Sequence, residues 1–184
     1  MMPWLPHSFC NSFLMNPHPD NFDAEALYKT LLHKIRNKLS DMPNLVLVGI
    51  HSGGAWIAER LAKDLDLKST PGFIDISFYR DDFARKGLPQ AVKPTRIPFD
   101  VENATILLID DVLYTGRTTR AAINELFDYG RPAKVLLAAL IDRGDRELPI
   151  AANFVALTVS IPKNRKLELH RTDNNIFSLT VEHV

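Results

Sequence analysis

An α/β domain is predicted, with a central, mostly parallel, twisted sheet flanked by helices. Three near-continuous apolar runs, Asn44–Ile50, Ala104–Ile109 and Val135–Ile141, read as strands buried on both faces. Segments of helical periodicity separate them, the pattern of strands joined by crossover helices. The length, 184 residues, suits one domain with a single core.

Residues Asp23 to Asp41 open the domain as an amphipathic helix, with Leu27, Leu31, Leu32, Ile35 and Leu39 at helical spacing. Lys34, Arg36 and Lys38 read as its solvated face. The strand Asn44–Ile50 ends in a polar turn, His51-Ser52-Gly53-Gly54, and a helix follows from Ala55 to about Leu65. Phe73–Tyr79 alternates apolar and polar residues, a strand pattern. The stretch from Arg80 to Pro98 holds charges, Gly87 and three prolines; a loop of that length in a compact domain is usually functional or mobile. Ala104–Ile109 is a buried strand that should stop at Asp110-Asp111. Thr118–Tyr129 reads as a helix with Gly130 as its C-cap, and Val135–Ile141 as the next buried strand. Phe154–Val159, Lys166–His170 and Ile176–Val181 look like shorter strands on an edge or a small lobe.

Lysine and arginine total 22, aspartate and glutamate 22, so the net charge is zero. An obligate nucleic-acid binder would carry a basic excess. One cysteine, Cys10, allows neither an internal disulfide nor a cysteine-based metal site. No apolar run approaches the roughly 20 residues of a membrane helix. A cytoplasmic location is the expectation. Residues 1–20 lack a basic leader region and are interrupted by prolines, so they read as a poorly ordered extension rather than a signal peptide.

The informative stretch is Ile106-Leu107-Leu108-Ile109-Asp110-Asp111-Val112-Leu113-Tyr114-Thr115-Gly116-Arg117-Thr118. A central strand delivers two carboxylates to its carboxyl end, where open α/β sheets bind ligands. Alternation sends the two acids to opposite faces unless the strand has already ended. The loop Tyr114–Thr118 offers hydroxyls, a glycine that lets a ligand approach backbone amides, and a helix N-terminus that favours phosphate. Carboxylates for sugar hydroxyls beside a phosphate nest describe a site for a phosphorylated ribose.

In this motif the sequence resembles the type I phosphoribosyltransferase family, which binds 5-phosphoribosyl pyrophosphate (PRPP). Ser77–Phe83, Asp128–Val135 and Ile141–Ile150 extend the resemblance to the PyrR-like subgroup of pyrimidine regulatory proteins and uracil phosphoribosyltransferases. The resemblance implies a phosphoribosyltransferase domain over residues 21–184, a flexible loop at about 80–98 and a small hood from about 142–184. Asp110 and Asp111 would hold the ribose hydroxyls, one of them reaching Mg²⁺. Tyr114, Thr115, Gly116, Arg117 and Thr118 would cradle the 5′-phosphate. His51, Ser52, Gly53 and Gly54 would form the pyrophosphate loop, with Arg80 a further catalytic contact to pyrophosphate. Arg143, Gly144 and Ile161 would frame the base. The implied reaction joins uracil to PRPP, giving UMP and pyrophosphate, in a dimer or tetramer.

Two departures from the family pattern qualify that reading. The pyrophosphate loop there reads Thr-Arg-Gly after a lysine, whereas this chain has His51-Ser52-Gly53-Gly54. A lost guanidinium contact to phosphate forfeits about 1.5–3 kcal/mol. A PRPP-binding protein with little turnover is therefore one alternative. The other is a regulator that senses UMP or PRPP and binds pyrimidine-operon mRNA. Arg146 suits it, but Asp145, Ala151 and Leu157 stand where RNA-binding members carry His, Arg and Lys, so RNA binding is disfavoured.

Overall fold

The computed structural model describes residues 22–39, 42, 44–76 and 94–183. The chain runs α1 (Ala24–Leu39), β1 (Leu45–Ile50), α2 (Gly53–Asp64), β2 (Gly72–Ile74), β3 (Thr105–Leu113), α3 (Arg117–Asp128), β4 (Lys134–Asp142), β5 (Phe154–Thr158), β6 (Arg165–Arg171) and β7 (Phe177–His183). Five strands form one parallel sheet in the order β2-β1-β3-β4-β5, and β6 and β7 pair antiparallel as a separate hairpin. The expectation of a mostly parallel sheet flanked by helices holds.

The strands read as apolar runs because both faces are covered. Leu107 and Ile109 face α1 and α2, with Leu31, Ile35, Ile57 and Leu61. Ile106 and Leu108 face α3, with Ala122 and Leu126. The hairpin packs its apolar side, Leu167, Leu169 and Phe177, on the first of these layers. Arg60 ties them together: it forks onto Glu25 at 2.6 and 2.8 Å, and its guanidinium lies 4.2 Å from the Tyr28 ring and 5.0 Å from the Phe177 ring. The Phe177 N–H also donates to Glu25, at 2.8 Å. Arg60 lowers the Glu25 pKa, and the Phe177 hydrogen bond adds to that. A depressed carboxyl pKa adds stability above the unfolded value and loses it as pH falls through the folded one. Glu25→Gln should therefore cost about 1–3 kcal/mol at neutral pH. In urea titrations the gap from the parent should close below about pH 4; a constant gap at pH 7 and pH 3 would refute the pairing.

Several boundaries differ from the sequence reading. β3 does not stop at the acids but runs through Asp110 and Asp111 to Leu113. The reason is its neighbour: β4 continues alongside, pairing Asp110 with Ala139, Val112 with Ile141 and Leu113 with Asp142. On the other side β1 gives out at Gly49 opposite Ile109. Of the strand expected over Phe73–Tyr79, Phe73 and Ile74 belong to β2 (Gly72–Ile74), residues 75 and 76 do not, and 77–79 lie outside the described residues. Arg96 bridges back to Phe73, so the chain leaves and returns at one point of the edge. α2 begins at Gly53, two residues before Ala55, and α3 is capped by Tyr129, with Gly130 just beyond. The extension 1–20, Arg80 and the greater part of the 80–98 loop lie outside the described residues.

Candidate functional site

The strand order places a switch point between β1 and β3. From β1 the chain crosses through α2 to β2 on one side; from β3 it crosses through α3 to β4 on the other. The loops leaving β1 and β3 therefore diverge, and the crevice between them is where such sheets bind ligands. His51–Gly54 forms one wall and Tyr114–Arg117 the other.

The two walls meet at the acids. A Cβ built on Gly53 would lie 2.5 Å from the Asp111 carboxyl, and one on Gly54 would lie 2.2 Å from the Ile109 carbonyl. Only glycine lets α2 start this close to β3. The peptide between His51 and Ser52 is cis. Alternation along β3 sends Asp110 toward the α3 face and Asp111 toward α2, where its approach to Gly53 puts it. Beyond the pair the alternation breaks, with Val112 in the α1–α2 layer and Leu113 in the α3 layer. Asp110 is buried, at 2% exposure, and its Oδ1 accepts from the Asp111 N–H at 3.0 Å. Asp111 is half-buried beside Gly53. The acids thus flank the strand end from either side.

The second wall is a turn into a helix. Gly116 takes φ +91, a left-handed conformation that other residues adopt only at a cost, and caps α3. A side chain there would also meet Ile150 at 3.3 Å. The first intrahelical bond runs from the Arg120 N–H to the Gly116 carbonyl. No backbone carbonyl among the described residues accepts from Gly116, Thr118 or Thr119 N–H, so these three amides are not consumed by described backbone. The Arg117 N–H reaches Thr115 Oγ1 at 3.3 Å. Its side chain turns outward to Glu147, at 2.6 Å, in an exposed ion pair of small energetic weight.

The residues expected over the base occupy two different settings. Arg143 is buried and donates to the carbonyls of Ile161, Pro162 and Arg165 at 3.4, 3.3 and 3.0 Å. Its guanidinium stacks 4.3 Å from the centre of the Tyr114 ring. Burial pulls its pKa below the ordinary value, opposed by Tyr114 and Asp145. Ile161 is core, at 3% exposure. Gly144 is open on its Cα face and its N–H donates to Asp142 Oδ1 at 2.8 Å. Arg143 and Ile161 thus brace the wall of the crevice with their side chains.

Two residues organise this end of the sheet in a way the sequence reading did not foresee: Asp142, given no role there, and Arg146, weighed only for RNA. Arg146 pairs with Asp142 at 2.6 Å and donates to the Tyr114 carbonyl at 2.6 Å. Around them cluster the buried polar or charged residues among those described, Asp110, Thr115, Thr119 and Arg143, at the end of β3, in the turn and first helical turn after it, and just beyond β4. Such clustering is not a property of linear spacing.

No helix among the described residues is long and apolar enough to cross a membrane. A model of the phosphoribosyl transferase domain matches residues 20–167. The chain is 51% identical over 151 residues to a Ralstonia nicotianae protein named Bifunctional protein PyrR, covering 81% of this chain and 86% of that one. It is 45% identical over 167 residues to the protein of the same name from Nitrosococcus oceani, covering 89% and 94%. Among solved structures it resembles a Staphylococcus aureus hypoxanthine phosphoribosyltransferase, with TM-score 0.56, 26% identity and 76% of each chain covered. A Bacillus anthracis hypoxanthine-guanine phosphoribosyltransferase aligns with TM-score 0.60 at 17% identity over 76% of this chain and 83% of that one, a likeness of fold. The match spans the crevice, both its walls and the acids between them, and the chain belongs to the phosphoribosyltransferase family, in its PyrR-like branch.

Proposed function

We propose that the protein is a uracil phosphoribosyltransferase, converting uracil and PRPP to UMP and pyrophosphate. The observation that carries the reading is the contact of Gly53 with Asp111, which brings the post-β1 turn against the acids, from which β3 leads on into the α3 turn. Amides of Gly116 and Thr118, at the positive end of α3, take the 5′-phosphate. Asp110 and Asp111 take the ribose hydroxyls from either side of the strand. His51–Gly54 takes the pyrophosphate, with His51 able to contribute charge when protonated. Arg80, outside the described residues, is proposed as a further pyrophosphate contact, and the 80–98 loop as the lid. Backbone of Arg143–Glu147 edges the uracil.

The donor set fits Mg²⁺. Among the described residues the acids belong to no close cluster of three metal-ligating side chains, which suits a hard ion that keeps most of its waters. Asp111, the more exposed of the pair, is the closer candidate to hold it. When bound, Mg²⁺ would neutralise charge on the leaving pyrophosphate. The bond from C1 to pyrophosphate breaks, a bond from C1 to uracil N1 forms, and the N1 proton leaves with pyrophosphate. The chain supplies orientation and exclusion of water rather than a strong base.

A base panel with PRPP and Mg²⁺, read by pyrophosphate release, tests this. Uracil should be the preferred acceptor. Turnover with another base and none with uracil would refute the specificity; PRPP binding without any turnover would favour a non-catalytic binder.

The name of the relatives supports a second reading, a regulator that binds pyrimidine-operon mRNA in response to UMP or PRPP. Arg146 weighs against it, since its guanidinium is spent inside the molecule. Leader RNA should bind weakly at physiological salt, with little sequence preference. Assembly as a dimer or tetramer is part of the same proposal.

A further inference from the structure

We infer that Arg146 is a positioning residue for PRPP: it holds the carbonyl side of the β3–α3 turn so that the amide side is presented to the 5′-phosphate. This rests on the reading of that turn as the phosphate site. Arg146 lies four residues beyond the end of β4 and is half-buried. Its guanidinium is engaged on every edge. Nε donates to the Ile150 carbonyl at 3.0 Å, Nη2 pairs with Asp142 Oδ2 at 2.6 Å, and Nη1 donates to the Tyr114 and Gly144 carbonyls at 2.6 and 3.0 Å. The Leu113 carbonyl, at 3.5 Å, is too far to add much.

The consequence follows from peptide geometry. In a trans peptide the carbonyl and the next N–H point in opposite directions. Arg146 draws the Tyr114 carbonyl toward residues 144–150, so the Thr115 N–H is directed away from them. The next carbonyl, of Thr115, accepts from Glu147 and Leu148 N–H at 3.0 and 3.2 Å, which turns the Gly116 N–H away in the same manner. Arg146 is the centre of this brace, because its bonds to Ile150 and Gly144 also shape the segment that carries those two donors. Asp142 fixes the guanidinium in place; its other oxygen caps Gly144. Four acceptors fanned around one plane match a guanidinium and no other side chain: an ammonium has three donors and no plane to spread them.

Arg146→Lys and Arg146→Ala, in the full chain, test the inference alongside the parent. Uracil turnover is read as separate KM values for PRPP and uracil, and melting temperature monitors folding. Lysine keeps the charge and one or two acceptors, so it should raise the PRPP KM by about fivefold; alanine should raise it by about thirtyfold. The uracil KM should stay within about twofold of the parent in both, which a general loosening of the fold would not allow. Adding methylguanidinium to Arg146→Ala should lower the PRPP KM again. If alanine fails to fold, the lysine variant decides the matter through the split between the two KM values. A parental PRPP KM in the folded variants, or equal rises in both KM values without rescue, would overturn the role of Arg146. A parent protein that neither binds nor uses PRPP would instead remove the underlying reading, and the inference with it.

Discussion

Asp111→Asn should weaken Mg²⁺·PRPP binding by about ten- to a hundredfold, the larger of the effects expected at the acidic pair. A carboxylate accepting a hydroxyl proton makes a charge-assisted bond worth about 1.5–3 kcal/mol, and the amide substitutes a neutral acceptor of the same shape. Asp111 is half-buried, stands against the Gly53 backbone and faces the turn proposed for pyrophosphate. Its neutralisation should therefore also raise the Mg²⁺ concentration needed for half-maximal binding. Asp110→Asn differs in kind. Its retained oxygen still accepts from the Asp111 N–H, so the fold is preserved, while a negative charge is removed from a site only 2% exposed. Here the PRPP affinity should fall and the Mg²⁺ requirement should move less. Calorimetry of the two variants at several Mg²⁺ concentrations separates the roles. Parental affinity in both would mean that the crevice does not hold the ribose.

The arrangement of the acids was half legible in the sequence. The run Ile106–Ile109 announced a buried strand, and the placement of two acids at its carboxyl end announced a candidate site. What the linear pattern could not say is whether the strand ends there. Val112 and Leu113 are apolar, but so are many loop residues; the strand continues because Ile141 and Asp142 of β4 are alongside to pair with them. That is a tertiary decision, and it puts the acids on opposite faces. Phe73–Tyr79 erred in the other direction. Among the described residues, β1 ends at Ile50 opposite Ile74 and residues 75 and 76 are not strand, while 77–79 lie outside the described residues.

The site shows the same division. The turn Tyr114–Thr118 was readable because a glycine before a helix start is a local signal, and Gly116 does take the left-handed conformation such a turn needs. The four-residue turn at His51–Gly54 was readable as polar, but helix α2 claims its two glycines. Arg143 suggested a base contact and Arg146 an RNA contact by position in the motif. In the fold their guanidiniums bond backbone carbonyls at 161–165 and at 114, 144 and 150. An arginine satisfied by carbonyls has no sequence signature, since its acceptors are present at every residue.

Gly54→Ala should be the most damaging of the conservative substitutions around the crevice. The added methyl carbon would stand 2.2 Å from the Ile109 carbonyl oxygen and 3.0 Å from Asp110 Cα, both backbone positions of the central strand. Neither can swing aside as a side-chain tip would. Helix α2 must retreat from β3, and the packing of Ile57 and Leu61 against Leu107 and Ile109 must open with it. The helix propensity of alanine returns at most about 1 kcal/mol, against an overpacking cost of about 3 kcal/mol. Melting should fall by about 5–10 °C for a chain of this size. Because the retreat moves Gly53 off the Asp111 carboxyl, PRPP affinity should drop even where the variant remains folded. Gly144→Ala provides the contrast: its Cβ meets nothing within 4 Å, so only the left-handed φ of +73 resists it, at about 1–2 kcal/mol. Gly54→Ala melting at or above the parental temperature would mean that α2 does not press on the end of β3, and the wall that brings the turn to the acids would not exist.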